Sequence, residues 1–291
     1  MESFVERYKE ILPHAFFSYW ERPTLPSLRV NTLKIELNEI FDWIDAELEQ
    51  LKFYKFGFVV KDKILELGKL PAFKLGFFHT QEISSMIPVL VLDIKPKLKV
   101  LDLCAAPGSK TTQIAQHMKN KGVIVANDVK LKRIKALVSN CQRLGVVNVV
   151  ITMQDGRRFR KKGFDRVLVD APCTGMGLRR KHSNWSLSRT LKLSNLQKKL
   201  LLAGFDCLKP KGILVYSTCT VEPEENEEVV QYLLENRANA RVEKVKIKNL
   251  EWEEGLIKWK KEFYDEIKNC MRIYPWHSGG DAFFIARIKK V

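Results

Sequence analysis

The sequence predicts the α/β fold class: a doubly wound, mostly parallel sheet, preceded by a small α+β region. Three observations carry this. Beyond roughly residue 84, short continuously apolar runs alternate with segments of helical periodicity, the pattern of strands buried on both faces between helices. Several of those runs end in an acidic residue beside a small-residue turn, as strands do whose carboxyl ends border a ligand crevice. The first 78 or so residues lack that alternation and mix a helical opening with short extended runs.

Taken in order, a helix is expected near Leu37–Leu51, and Phe53–Val60 reads as a strand from its aromatic and β-branched content. The change of texture divides the chain into residues 1–80 and 81–291. In the second part, Lys99–Cys104 is a strand, followed by a turn and a helix to about Lys119. Val123–Asp128 is a strand and Leu131–Leu144 a helix; Val146–Thr152 and Arg166–Asp170 are further strands. A helix over Asn195–Leu208, a strand over Gly212–Ser217, a helix over Glu225–Leu234 and a last strand over Ala282–Ile288 complete the alternation. Trp259, Phe263 and Tyr264, at near-helical spacing, make Trp252–Ile267 read as a core-facing helix.

Fifty Lys and Arg against 34 Asp and Glu over 291 residues leave a formal charge of +16. Such an excess points to a polyanionic partner, nucleic acid above all, because each phosphate neutralised releases a counterion. A solvated Lys/Glu-rich surface explains many charges but not the imbalance. The hydrophobic fraction of 45% is too high for a disordered chain. No apolar run approaches the roughly 20 residues that span a bilayer, and Met1–Arg7 is acidic and amphipathic rather than a secretory signal. A cytoplasmic, monomeric protein is expected. Its six cysteines are scattered without a Cys-x-x-Cys pair, so neither a disulfide framework nor a metal site is expected.

The first strand of the second part runs into Cys104-Ala105-Ala106-Pro107-Gly108-Ser109-Lys110. Small residues there let backbone approach a ligand, and the helix behind offers its N-terminus. Set against the dinucleotide pattern only Gly108 survives, and the spacing of a phosphate loop is absent. Asp128 ends the second strand, twenty residues after Gly108, where an acid accepts hydrogen bonds from ribose hydroxyls. Asp155 ends the third, placed for an adenine amino group. Each acid alone is commonly a turn former or cap; three ligand-type strand ends in a row favour a Rossmann-like crevice. An adenosine cofactor without a diphosphate clamp suggests S-adenosylmethionine. Arg133, on the helix after Asp128, joins this set.

Two further strands end in Asp170-Ala171-Pro172-Cys173-Thr174-Gly175 and Tyr216-Ser217-Thr218-Cys219-Thr220. Either thiol alone reads as a small buried residue. Together, with a carboxylate three residues before one of them, they suit attack on a cytosine. Carbon 5 of that base becomes nucleophilic when a thiolate adds at carbon 6 and an acid hydrogen-bonds ring nitrogen 3.

With these motifs, and with Leu28–Lys34 and Gln81–Met86, nearly the whole chain resembles the Sun/Nop family of RNA 5-methylcytosine methyltransferases, most of all the archaeal tRNA enzymes. The resemblance implies a class I methyltransferase fold with an N-terminal RNA-binding region, and a methyl transfer from S-adenosylmethionine to a cytosine of tRNA. It implies that Cys219 is the nucleophile, that Cys173 assists product release, and that Asp170 contacts both cytosine and methyl donor with Lys110 beside them. Cys104–Lys110, Asp128 and Asp155 would hold the donor. Ribosomal RNA is the alternative substrate and a non-catalytic RNA-binding or assembly protein a more distant one. In a DNA cytosine-5 methyltransferase the nucleophile would be Cys173 instead.

Arg29, Asn31 and Lys34 are candidate RNA contacts, as are Arg157–Lys162 and the cluster Arg179, Arg180 and Lys181 just beyond the Pro-Cys motif. Trp185 reads either as a base-stacking platform or as core.

Overall fold

The computed structural model describes residues 4–20, 22–62, 65–178 and 185–291. Two short helices, α1 (Phe4–Tyr8) and α2 (His14–Trp20), open the chain. The strands β1 (Ser27–Val30), β2 (Leu48–Leu51), β3 (Tyr54–Val60) and β4 (Phe78–Thr80) form an antiparallel sheet in the order β2-β3-β1-β4. Between them lie α3 (Ile40–Trp43) and α4 (Pro71–Leu75). The helix expected over Leu37–Leu51 is therefore one turn followed by a strand. Its apolar residues do not share one helical face: Leu51 packs in another cluster from Leu37, Ile40, Ile44 and Leu48.

The helix α5 (Ile87–Val91) leads into the large sheet. Here β5 (Lys99–Asp102), β6 (Val123–Asp128), β7 (Val149–Met153) and β8 (Phe164–Asp170) alternate with α6 (Ser109–Met118) and α7 (Leu131–Arg143). After β8 come α8 (Leu187–Cys207), β9 (Leu208–Thr218) and α9 (Glu227–Asn236). The last segments are β10 (Ala240–Val242), β11 (Glu253–Glu254), a hairpin of β12 (Lys258–Trp259) and β13 (Lys261–Glu262), β14 (Met271–Ile273), and β15 (Phe283–Lys290). The strand order is β11-β14-β15-β9-β8-β5-β6-β7, with β10 on β15. Strands β5 to β9 are parallel, while β15, β14, β11 and β10 add an antiparallel flank. This is the mixed, mostly parallel sheet expected of a class I methyltransferase.

Helix α8 begins eight residues before its expected start, where the Ser186 hydroxyl accepts from the Arg189 N–H as an N-cap. The stretch Trp252–Ile267 does not form the expected helix. It makes short strand pairs because, of its large apolar side chains, only Phe263 and Ile267 are buried, while Tyr264 is exposed. One core lies between the sheet and α8/α9 and includes Leu103, Val167, Leu201 and Val229. A second, on the other face, lies under α5, α6 and α7 and includes Val89, Ile114 and Leu137. Both faces being covered explains the nearly uninterrupted apolar strands.

Candidate active site

Asp170 and Ser217 are register partners at the ends of the parallel neighbours β8 and β9. The Ser217 hydroxyl donates to Asp170 Oδ1 at 2.7 Å. Lys110, in the first turn of α6, donates through Nζ to Asp170 Oδ2 and to Ser85 Oγ, each at 2.8 Å. Strand ends and a helix start thus fix one ion pair, with the lysine buried and the aspartate 30% exposed. Three residues beyond Asp170 and one beyond β9, Cys173 and Cys219 place their sulfurs 3.2 Å apart, both half-buried. The contact with Cys219, then burial, pushes the Cys173 thiol well above its ordinary range, so Cys173 keeps its proton at neutral pH.

Backbone bonds lock the two loops. The Ala171 N–H donates to the Ser217 carbonyl, and the Gly177 N–H to the Cys219 carbonyl, both at 3.0 Å. A Cβ on Gly177 would sit 2.6 Å from the Ala282 carbonyl oxygen and 2.9 Å from that of Cys219. Only glycine fits there.

On the neighbouring side, Gly108 has φ +106° at the start of α6, and a Cβ on it would meet Leu137 at 2.9 Å. The turn Cys104–Gly108 therefore lies flat against α7. Asp128 accepts from the Ala106 and Lys130 N–H groups and pairs with Arg133 at 3.3 Å; Arg133 also donates to the Ala106 carbonyl. Arg157 grips both oxygens of Asp155 and holds that carboxyl below the usual range. Leu103, Cys104, Asp128, Arg133, Asp155 and Leu200 border a crevice of about 70 Å³. One strand end deeper, Asp102 accepts from the Thr111 hydroxyl with Oδ2, while its Oδ1 is buried without a partner. Burial pushes this acid up to about 7. Two acids at the crevice, an orphaned acceptor behind it and apolar walls suit a ligand with ribose hydroxyls, an ammonium group and an adenine ring. S-adenosylmethionine fits that donor and acceptor set, once Arg133 and Arg157 yield their acids to it.

Comparison with known proteins decides the family. Residues 89–289 match the family model of the 16S rRNA methyltransferases RsmB/F, and residues 1–83 match the N-terminal domain of RsmF. The chain belongs to the RsmB/F family. It is 45% identical to the tRNA (cytosine(49)-C(5))-methyltransferase of Pyrococcus abyssi, over 98% of this chain and 95% of that protein. It is 40% identical to the human 28S rRNA (cytosine(4447)-C(5))-methyltransferase, over 93% of this chain but 35% of that protein. A crystal structure of a methyltransferase homologue from Pyrococcus horikoshii superposes with a TM-score of 0.88 at 36% identity, covering 99% and 94% of the two chains. The resemblance to the Sun/Nop enzymes is borne out, and with it RNA cytosine-5 methyltransferase activity and S-adenosylmethionine as methyl donor.

In this RsmB/F-family chain the structure brings Cys219, Cys173, Asp170 and Lys110 to one edge and sets Cys104–Ser109, Asp128, Arg133 and Asp155 beside it. Two expected RNA contacts need correction. Arg29 is 0% exposed and Asn31 1% exposed. The Arg29 guanidinium donates to Gln81 Oε1 at 2.8 Å, to Thr112 Oγ1 at 2.9 Å and to Gln116 Oε1. The Asn31 amide donates to the carbonyls of Gly76 and Leu144. Both side chains join the N-terminal sheet to the helices of the large one, because fully satisfied polar groups there replace water. Lys34 is exposed and donates to the Leu75 carbonyl. Arg179, Arg180 and Lys181 lie outside the described residues.

Trp185 is core rather than platform: its Nε1 donates to Glu222 at 2.5 Å, and it packs edge-on against Phe4 and Tyr8. His79 bonds Ser109 Oγ and Arg143, and burial followed by the charges of Arg29 and Arg143 pushes it down to about 3. The run Arg157–Lys162 borders a cleft of about 750 Å³ with Lys199, Arg237 and Lys290. Its lining acid, Asp206, is paired with Arg237 at 2.7 Å.

Sequence reading missed Asp102, Ser85 and Ser217, none of which stands out from ordinary strand-end and helix-start residues. It also missed the buried acids after Cys219. There the signal existed: Glu222, Glu224, Glu225, Glu227 and Glu228 crowd seven positions of a strongly basic chain.

Proposed function

We propose that this protein methylates carbon 5 of a cytosine in tRNA, with Cys219 as nucleophile and Cys173 as the base that releases the product. The observation that carries this reading is the pair of sulfurs 3.2 Å apart beside the Lys110–Asp170 ion pair. Cys219 gives up its thiol proton to solvent and bonds carbon 6 of the cytosine, while the Lys110 ammonium, held by Asp170, donates the hydrogen bond at ring nitrogen 3 that draws electrons away from it. Cys104–Ser109 would hold S-adenosylmethionine, which would supply an electrophilic methyl group for carbon 5. Once the Cys219 sulfur is bonded to carbon, its hold on the Cys173 proton is gone, and that interaction is the largest cause of the raised Cys173 value. Cys173 then releases its proton to solvent, takes the one on carbon 5, and the sulfur–carbon 6 bond breaks. A flipped or unpaired cytosine is required, since both sulfurs are half-buried.

Transfer RNA is favoured over ribosomal RNA by the full-length match to the Pyrococcus abyssi enzyme; the chain spans little more than a third of the human ribosomal RNA enzyme. The basic cleft around Arg160, Lys162 and Lys199 has charge suited to the phosphates of the RNA body. The test is methyl transfer from labelled S-adenosylmethionine to unmodified tRNA transcripts and to ribosomal RNA fragments, with the product base mapped. Labelled 5-methylcytosine in tRNA supports the reading; label only in ribosomal RNA replaces the substrate, and label at another atom removes the mechanism.

A further inference from the structure

Behind the cysteine loops lies a buried network that the transfer chemistry does not touch. Thr174 and Thr220 immediately follow Cys173 and Cys219, and their hydroxyls are 3.0 Å apart. The Thr174 hydroxyl also meets Glu225 Oε1 at 2.5 Å and Glu222 Oε2 more closely still. Thr220 Oγ1 lies 3.3 Å from Glu222 Oε2. Glu222 and Glu225 are both 0% exposed.

Counting hydrogens decides the protonation. The Thr174 hydroxyl has one hydrogen and cannot donate to both carboxyls. A second short oxygen–oxygen contact without a hydrogen would set lone pairs against each other. One carboxyl therefore brings its own proton. The partners say which. Glu222 Oε1 accepts from Trp185 Nε1 at 2.5 Å, Thr190 Oγ1 at 2.7 Å and Tyr8 Oη at 3.2 Å, so Glu222 is the acceptor-only member. Glu225 Oε2 accepts from Gln197 Nε2 at 2.6 Å and the Thr174 N–H at 3.1 Å; the same N–H is farther from Oε1, at 3.3 Å, so Oε1 is the oxygen with room to carry a hydrogen.

We propose that Glu225 is a neutral carboxylic acid, a positioning residue whose proton, relayed through the Thr174 hydroxyl to Glu222, holds the two cysteine loops at their working separation. The relay satisfies each short contact: Glu225 donates to Thr174, and Thr174 donates to Glu222. No cation contacts either acid among the described residues. The groups facing Glu225 are Glu222 on its own segment, Cys173 on the loop after β8 and Tyr216 on β9, whose hydroxyl donates to the Glu225 carbonyl. From α8 comes the neutral Gln197. The nearby arginines are paired elsewhere, Arg7 with Glu224 and Arg272 with Glu227, each at 2.6 Å. Burial first, then Glu222 and Cys173, pushes Glu225 up to about 10, in keeping with the count of hydrogens.

The inference rests on the proposed roles of the two cysteines, but its first test does not. An infrared difference spectrum between the wild-type protein and Glu225→Gln at neutral pH is expected to show one protonated-carboxyl band lost in the variant. Its absence would overturn the proposal whatever the substrate proves to be. The second test is rescue. A glutamine amide can donate to Thr174 and accept from the Thr174 N–H, so Glu225→Gln should keep kcat within about threefold. Glu225→Ala should lower kcat roughly 10- to 100-fold with KM for RNA changed less than threefold. Equal loss in the two variants would mean that the loops need a carboxylate, and would sink the idea. Should the alanine variant fail to fold, Glu225→Gln alone still decides both tests, since a fall in its own kcat beyond about tenfold overturns the proposal.

Discussion

On the open side of the Asp170–Gly175 and Thr218–Glu222 loops, Asp170 meets the Lys110 ammonium at 2.8 Å and remains 30% exposed. On the interior side, Glu222 and Glu225 share the Thr174 hydroxyl with no cation in contact with them among the described residues. The same two loops carry both arrangements, one residue apart at Cys173 and Thr174. The difference teaches how charge is assigned. Asp170 has one oxygen filled by a buried ammonium and keeps an exposed edge toward a substrate. Glu225, buried beside another acid with hydroxyls and neutral amides as its partners, keeps its proton and becomes a structural donor.

The comparison breaks most directly at the ion pair. Lys110→Met removes the cation and keeps the length of the side chain, so the open side would come to resemble the interior one. A loss of about 10²-fold or more in kcat/KM is expected, the scale of a positioned proton-transfer group. The measurement is single-turnover methylation; near-wild-type rates would separate Lys110 from the chemistry.

Arg29 offers a third way of burying charge, with neutral oxygens as its only partners among the described residues. Burial lowers its pKa to about 10. Arg29→Met should cost about 2–4 kcal/mol through the stranded Gln81, Gln116 and Thr112 groups, read as a fall of roughly 3–7 °C in Tm. The salt dependence of RNA binding should not change, since a residue with no exposed surface releases no counterion.

The basic cleft sharpens the same contrast from the solvent side. Charge reversal at Lys162 and Lys199 together should raise KM for tRNA several-fold with kcat unaffected. The slope of log affinity against log salt should shrink by about one for each phosphate that is no longer neutralised. An unchanged KM would direct the RNA elsewhere.

A further effect is the pH dependence of stability contributed by Glu225. Its folded value, about 10, lies above the ordinary 4.5. Below about pH 4.5 both folded and unfolded chains hold the proton. Between there and about 10 only the unfolded chain loses it, so stability falls as pH rises, by at most about 1.4 kcal/mol per unit. Glu225→Gln removes that slope. Denaturation midpoints at pH 5 and pH 9 should show the variant gaining on the wild type at the higher pH.

Fold and site were legible in the sequence wherever short range decides structure. The apolar strands from Val100 to Val169 and the motif turns ending at Gly108, Cys173 and Cys219 emerge from local pattern, because the sheet buries both faces. The misreadings have a tertiary cause. Leu37–Leu51 and Trp252–Ile267 have helical spacing by coincidence, and their apolar residues pack separately. Arg29 and Asn31 looked like RNA ligands because nothing in a sequence distinguishes an arginine facing solvent from one facing Gln81, Thr112 and Gln116. The pairing of Thr174 with Thr220 closes over a sequence separation of 46.

The central claim, that Cys219 attacks and Cys173 releases, is tested most directly by trapping. Cys173→Ala, incubated with tRNA and S-adenosylmethionine, should accumulate a protein–RNA adduct that survives denaturing electrophoresis. Cys219→Ala should give neither adduct nor methylated RNA. An adduct formed by Cys219→Ala, or full methylation by it, would contradict the account.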